Sequence, residues 1–454
     1  MALMFGATGI ARADSNTVLV FPFENLSNDR TIDWIGEGIS ELINQRLQPE
    51  PGLYVFSREE RIALYDKLGI PETAGLSRAT TLKLAWDAGA DNMITGVFSG
   101  TAEQFHISVR LVDMEAGAAS EIKADGRLED IIPLTTTLSL KLLGKIVPGR
   151  ASPESDSTAR PPIPRSAFEN YVRGILNQDL QKRIDLLQTA VRLYPQYSSA
   201  LFQLGRAFHL QREFRMSNQW LQKLPENTPD RRQVLFMTGL NYFYLGDYPH
   251  AVATFQQLPE TYDVLLNLGA AFSQKGDSAP AISTWKRAAA LDSLDSDAFF
   301  DMGYADFLKS DFEGAERNVN DSLKLRGRDS EALFLLGRTY EKLGRIEESQ
   351  KLTAQATRLS QRVERWLTQP LPKLERFATT TTFRRHEEVW NDQRLARRAR
   401  GLGLNAWLDL IQSDLDAHLF GDALRELHDV TRIYPDSPEA RSLLEEVDRQ
   451  RNLK

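Results

Sequence analysis

The sequence predicts an α/β amino-terminal domain with helices on a mixed sheet, followed by an all-α solenoid of repeated helix pairs. Three observations carry this. Gly174, Gly205, Gly239, Gly269, Gly303 and Gly337 recur at spacings of 31, 34, 30, 34 and 34 inside apolar helical patterns, which marks a repeat array. From Gly205 onward each glycine has an apolar residue four places before it (Leu201, Leu235, Leu265, Phe299, Leu333) and a small residue twelve places after it (Ser217, Ala251, Ala281, Ala315, Ser349). Ahead of the repeats, short apolar runs of strand type alternate with segments of helical period.

Residues 1–13 are small and apolar and end in Ala11-Arg12-Ala13, the form of a secretory cleavage site without its basic leading region. They read as the remnant of an export signal. Residues 14–147 form the α/β domain. Thr17–Phe23 reads as a strand, and Ile35, Ile39, Leu42, Ile43 and Leu47 follow at helical spacing. A second strand, Leu53–Phe56, runs into Ser57-Arg58-Glu59-Glu60, a capping box at a helix start. Another helix covers Ser77–Ala88, and strands follow at Met93–Phe98, Phe105–Val112 and Ala118–Asp125 before a closing helix over Pro133–Ile146. Residues 148–163 are rich in Pro, Ser and charge and read as a linker about which the two halves can move.

The repeats occupy 164–362. Glycine leaves a gap where two antiparallel helices cross, and Leu221, Phe255, Trp285 and Val319, each sixteen residues after its glycine, fill it. Gly246-Asp247, Gly276-Asp277, Ser310-Asp311 and Gly344-Arg345 separate the helices of a pair, with a left-handed residue ending the first and an acid often opening the second. Asp306 and Thr353 depart from the pattern, standing where an aromatic and a large apolar residue are expected. Residues 363–403 form a basic, partly irregular connection, and terminal repeat-like helices over 404–454 place Trp407, Ile411, Ala423, Leu427 and Pro435 in the same phase.

This phase resembles the tetratricopeptide repeat, in five to seven units. The amino-terminal domain, through Val18–Ser27, Gly36–Ser40, Val55–Arg58, Thr95–Val97 and Val109–Asp113, looks like the TolB amino-terminal domain. That resemblance implies a non-catalytic envelope module. TolB continues into a β-propeller where this chain has helical repeats, so TolB's partners do not carry over.

Bulk composition agrees with a chain of two or three folded domains: 454 residues, 42% hydrophobic and 26% charged. A net charge of -7 argues against broad nucleic-acid affinity, and no apolar run approaches the length of a membrane span. With no cysteine there is neither a disulfide nor a lipid-modified cysteine, so an exported form would be periplasmic or secreted and not a lipoprotein. Six histidines form no metal motif; His386-Glu387-Glu388 lacks a second histidine four residues on. Gly36-Glu37-Gly38 lacks the rest of a phosphate loop and reads as an ordinary helix entry. No catalytic constellation and no cofactor site is expected.

Function is expected on the stripe beside the packing face of each first helix, which in the tetratricopeptide family lines the concave groove. It holds Phe202, Arg206 and His209; Phe236 and Phe243, with Tyr244 adjoining; Phe300, Tyr304 and Phe307; and Phe334 and Arg338. A line of aromatics there predicts an exposed apolar surface that takes a protein or peptide partner; the bland alternative is that the rings pack on neighbouring repeats or that a terminal segment folds back over them. In 371–403 eight basic residues stand among four acids; a nucleic-acid or anionic surface is the sharp expectation, a solvated helix face the bland and favoured one. The chain is thus expected to be a non-enzymatic, exported protein-binding scaffold of an envelope complex. The alternatives are a cytoplasmic regulatory subunit whose α/β domain transmits an event sensed by the repeats, and an enzyme accessory subunit whose α/β domain binds a small molecule or a glycan at the mouth of its sheet.

Overall fold

The computed structural model describes residues 16–72, 74–147, 163–228, 231–368, 372–381, 383 and 392–452. The export-signal remnant and most of the 148–163 linker lie outside the described residues, as do Arg384, Arg385 and the His386-Glu387-Glu388 stretch. The described residues divide into two compact bodies, 16–197 with 392–401, and 198–383 with 402–452.

The first body opens as the alternating pattern requires. Its elements are β1 (Asn16–Val20), β2 (Glu24–Asn25), α1 (Trp34–Leu47), β3 (Leu53–Val55), α2 (Arg58–Lys67), α3 (Arg78–Asp87), β4 (Asn92–Gly100), β5 (Phe105–Asp113), β6 (Ala119–Gly126) and α4 (Ile131–Ile146). The sheet runs β3-β1-β4-β5-β6, with β2 against β4. It is mixed: β1 lies parallel to β3 and β4, while β4, β5 and β6 are antiparallel. β1 stops at Val20, earlier than the apolar run, because Pro22 has no N–H to give a ladder. Ile35, Ile39, Ile43 and Leu47 are fully buried. Ser57 Oγ accepts from Glu60 N at 3.2 Å while Ser57 N donates to Glu60 Oε2 at 2.8 Å, the reciprocal cap. Gly36 is glycine because a Cβ would strike the Phe23 carbonyl, a packing reason with no ligand in it.

The first helix pair, α5 (Arg165–Leu176) and α6 (Leu180–Leu193), belongs to this same body. α5 lies on α1, with Phe168 edge-on to Trp34 at 5.8 Å and Tyr171 Oη donating to Glu41 Oε2 at 2.9 Å. The helix Asp392–Leu402 is also docked here. The solvated face expected of the basic segment is corrected at this helix: Arg394 and Arg397 have side chains only 2% exposed, both paired to Asp91. Asp91 also accepts from Thr17 N and Oγ1, each at 2.8 Å. Burial pushes the Asp91 carboxyl up, but the Arg394 and Thr17 hydrogen bonds prevail and hold it below its usual range.

The second body is the helical array: α7 (Ser198–Leu210) with α8 (Phe214–Leu221), α9 (Arg231–Tyr244) with α10 (Tyr248–Phe255), α11 (Tyr262–Lys275) with α12 (Ser278–Leu291), α13 (Asp297–Leu308) with α14 (Phe312–Leu325), and α15 (Ser330–Lys342) with α16 (Ile346–Leu359). The glycine crossings form as read. A Cβ on Gly205 would lie 2.6 Å from Leu221, one on Gly239 2.7 Å from Phe255, and those on Gly269 and Gly303 would meet Trp285 and Val319. Gly246, Gly276, Ser310 and Gly344 all have positive φ at the turn inside each pair. Asp306 takes the place of an aromatic by accepting from Asn318 Nδ2 at 2.8 Å.

After the short helix α17 (Gln361–Trp366) and the Asp392–Leu402 helix, α18, come α19 (Leu404–Asp416), α20 (Phe420–Ile433) and α21 (Pro438–Asn452). Trp407, Ile411, Ala423 and Leu427 are buried as their phase requires. This terminal group folds back on the array: Arg425 Nη2 reaches Asp292 Oδ2 at 2.8 Å, and Gly327 N donates to His418 O at 3.0 Å.

Candidate functional site in the groove of the helical repeats

An extended stretch of the chain, described at 372–381 and 383, lies along the first helices of successive repeats, running against their order. At its start Tyr304 Oη on α13 donates to Pro372 O at 3.1 Å. Next, Asp301 Oδ1 accepts from Arg376 N at 2.8 Å. One repeat earlier, Asn267 on α11 holds Ala378 on both sides, its Oδ1 accepting from Ala378 N at 2.7 Å and its Nδ2 donating to Ala378 O at 2.9 Å. Gln233 Nε2 on α9 donates to Thr381 O at 2.8 Å. Among the described residues, no main-chain group of 372–383 bonds to another main-chain group. The segment is held by side chains, as a ligand would be.

Its side chains are received individually. Arg376 inserts between helices: Nη1 meets Asp297 Oδ1 at 2.7 Å, Nη2 meets Asp329 Oδ2 at 2.6 Å, and the guanidinium lies 3.7 Å over the Phe300 ring. Glu331 stands 4.0 Å off. Phe377 packs on Phe243 at 5.2 Å and Tyr244 at 5.5 Å, and Phe383 meets Phe236 edge-on at 6.2 Å. Leu374 joins the buried cluster of Phe300, Phe334 and Trp366. Glu375 accepts from Ser273 Oγ at 2.9 Å, and Lys373 sits by Tyr248 Oη at 3.2 Å.

The expectation of an exposed line of aromatics is therefore corrected. Phe236, Phe300 and Phe334 are at most 2% exposed, because Phe383, Arg376 and Trp366 (5.5 Å from Phe334) cover them. Phe243, Tyr244 and Tyr304 touch the segment directly. The remaining expected residues are placed differently. Phe202 and Arg206 are half-buried on α7. His209 is part of a buried network, its Nδ1 2.6 Å from Asn241 Oδ1, while Asn241 Nδ2 donates to Ser217 Oγ and Asn218 Oδ1; burial lowers the imidazole pKa. Phe307 packs on Phe312, and Arg338 pairs with Glu341 at 3.4 Å on its own helix.

The residues that hold the segment's main chain were missed in the sequence. Asn267 and Asp301 each stand two places before a repeat glycine, 34 apart, and both are fully buried. A polar residue inside Leu265-Leu-Asn-Leu-Gly269 or Phe299-Phe-Asp-Met-Gly303 was the available signal. Burial drives the Asp301 carboxyl well above the ordinary carboxylate range, and its Oδ2 has no hydrogen-bond partner. Among the described residues no group of His, Asp and Glu is arranged to hold a metal ion, and no helix is long and apolar enough to cross a membrane.

Models of the tetratricopeptide repeat match residues 233–262 and 330–362. The helical array thus carries tetratricopeptide repeats. No curated protein matches the chain. Among solved structures, the chain is similar to MamA (18% identity, 39% of this chain and 97% of that one, TM-score 0.33). It is also similar to PilW, a type IV pilus biogenesis factor (18%, 45% and 96%, TM-score 0.38). A third is YrrB, described as a tetratricopeptide-repeat protein with an unusual peptide-binding site (16%, 38% and 92%, TM-score 0.32).

Proposed function

We propose that this chain is a non-enzymatic protein-binding scaffold of the bacterial cell envelope, whose repeats hold a partner as an extended peptide along the groove of the first helices. The observation that carries the reading is the two-sided grip of Asn267 on the Ala378 main chain, with single bonds to the main chain from Gln233 (to Thr381 O) and Asp301 (from Arg376 N) on either side. Side-chain amides that bond a peptide's N–H and C=O hold an extended chain whatever its sequence, and the neighbouring rings then choose among side chains. Tetratricopeptide arrays serve as protein-interaction scaffolds, and the α/β domain's resemblance to the TolB amino-terminal domain supports an envelope setting.

The test is an affinity capture from envelope extract, comparing the native chain with Asn267→Ala and Gln233→Ala together. A partner retained by the native chain and lost from a variant of unchanged Tm supports groove binding. Retention by both would place binding elsewhere. Export is tested by amino-terminal sequencing of the mature protein from its native host, with Asp14 the expected first residue; a chain that keeps residues 1–13 in the cytoplasm would reject the envelope setting.

A further inference from the structure

Resting on the groove as a peptide site, we infer that it selects an arginine followed by an aromatic and a small residue, and that 372–383 is a resident stand-in which a partner protein carrying this pattern displaces. The arginine preference follows from charge. Asp297, Asp329 and Glu331 converge on one place, and Arg376 fills it with a side chain 11% exposed, while Asp301 holds its main-chain N–H. Arg326, 3.1 Å from Asp297 and 4.0 Å from Asp329, and Arg362, 3.8 Å from Glu331, are 40% and 69% exposed and offset only part of that charge. A planar cation bonded to two carboxylates and stacked on the Phe300 face suits guanidinium and not ammonium. The aromatic preference comes from Phe243 and Tyr244, which contact Phe377 from neighbouring positions of α9. Ala378 must be small because Asn267 draws its main chain against the cluster of Phe236, Leu240 and Val264.

Displacement, in place of permanent closure, follows from how the segment is held. The two helices of each pair close on one another at the glycine crossing without it, and its backbone belongs to no ladder or helix. Everything that binds it is a side chain on a preformed surface, so an equivalent chain from another molecule makes the same bonds. A tethered ligand competes at an effective concentration in the millimolar range, which an incoming ligand overcomes by a better match or by more contacts.

The experiment uses the full chain and a fluorescent synthetic peptide of the sequence 372–383, Pro-Lys-Leu-Glu-Arg-Phe-Ala-Thr-Thr-Thr-Thr-Phe, read by anisotropy. The chain with Arg376→Ala and Phe377→Ala should bind the peptide at least about 10-fold more tightly than the native chain. Adding Asp297→Asn and Asp329→Asn, or replacing the peptide's arginine by alanine, should cost at least about 10-fold. Equal binding by native and vacated chains overturns the stand-in. Equal binding of a scrambled peptide by the vacated chain overturns the selectivity and leaves the groove reading intact. No binding of any peptide by a vacated chain of native circular dichroism overturns both. Should the vacated variant fail to fold, the native chain decides: excess peptide should raise tryptic cleavage after Lys373 and Arg376 at least about 10-fold, and unchanged cleavage at saturating peptide overturns the proposal. A concentration-dependent dimer in sedimentation, dissolved by the peptide, would assign the groove to a second copy of this chain and overturn a separate partner.

Discussion

Gly269 leaves no room for a methyl group. A Cβ there would meet the Trp285 indole, which is fully buried and donates Nε1–H to Leu266 O at 3.1 Å, so the ring has nowhere to retreat. Gly269→Ala should cost about 1–3 kcal/mol, seen as a lower urea midpoint at unchanged slope. Gly337→Ala meets chiefly the Thr353 hydroxyl at 2.8 Å and should cost less, since Thr353 is far smaller than Trp285, which a Cβ on Gly269 would meet more closely still. A different kind of dependence is found at Asp91, which answers two buried guanidinium groups. Asp91→Ala removes the carboxylate that both face and should cost about 3–5 kcal/mol. Replacing Asp91, Arg394 and Arg397 together by apolar residues should recover most of that loss in the same denaturation assay, because what destabilises is buried charge deprived of its carboxylate and not the absence of the bridge.

At the contact of α1 with α5, desolvation first and the carboxylates of Glu37 and Glu59 next raise Glu41 to about 7 from 4.5, against the opposing hydrogen bond from Tyr171. A carboxyl raised in the folded state stabilises it fully below pH 4.5 and loses that contribution as pH rises through 7. The α/β body should therefore weaken between about pH 5 and 8, by at most about 3 kcal/mol from this group. Glu41→Gln should flatten that slope and raise Tm at pH 8; an identical pH profile for both proteins would reject the assignment. The elements themselves were largely legible. The helix pairs and their turns follow from short-range rules, in which glycine, its partner sixteen residues on and a left-handed turn residue specify one another. The α1–α5 contact was not legible, because Trp34, Glu41, Phe168 and Tyr171 each satisfy their own helix's period and nothing local says that the two apolar faces meet.

Over the whole chain, the class of each half could be read, and the aromatic stripe of the groove could be named, but not its occupant. Arg376 reaches Asp301 across 75 positions and Thr381 reaches Gln233 across 148; an extended segment has no periodicity to announce such a destination. The basic residues of 371–403 pointed to a surface, and in the folded chain Arg376, Arg394 and Arg397 are largely withdrawn from water. The occupied groove also has a kinetic consequence. If 372–383 must lift before another chain can enter, capture is gated by a unimolecular step, and the observed rate of peptide association in stopped flow should rise with concentration and then level off at the lifting rate. A rate that climbs linearly to the highest concentration would mean that no gate exists. With the gate in place, a partner's abundance decides how much of the protein is engaged, while the speed of engagement is a property written into this chain alone.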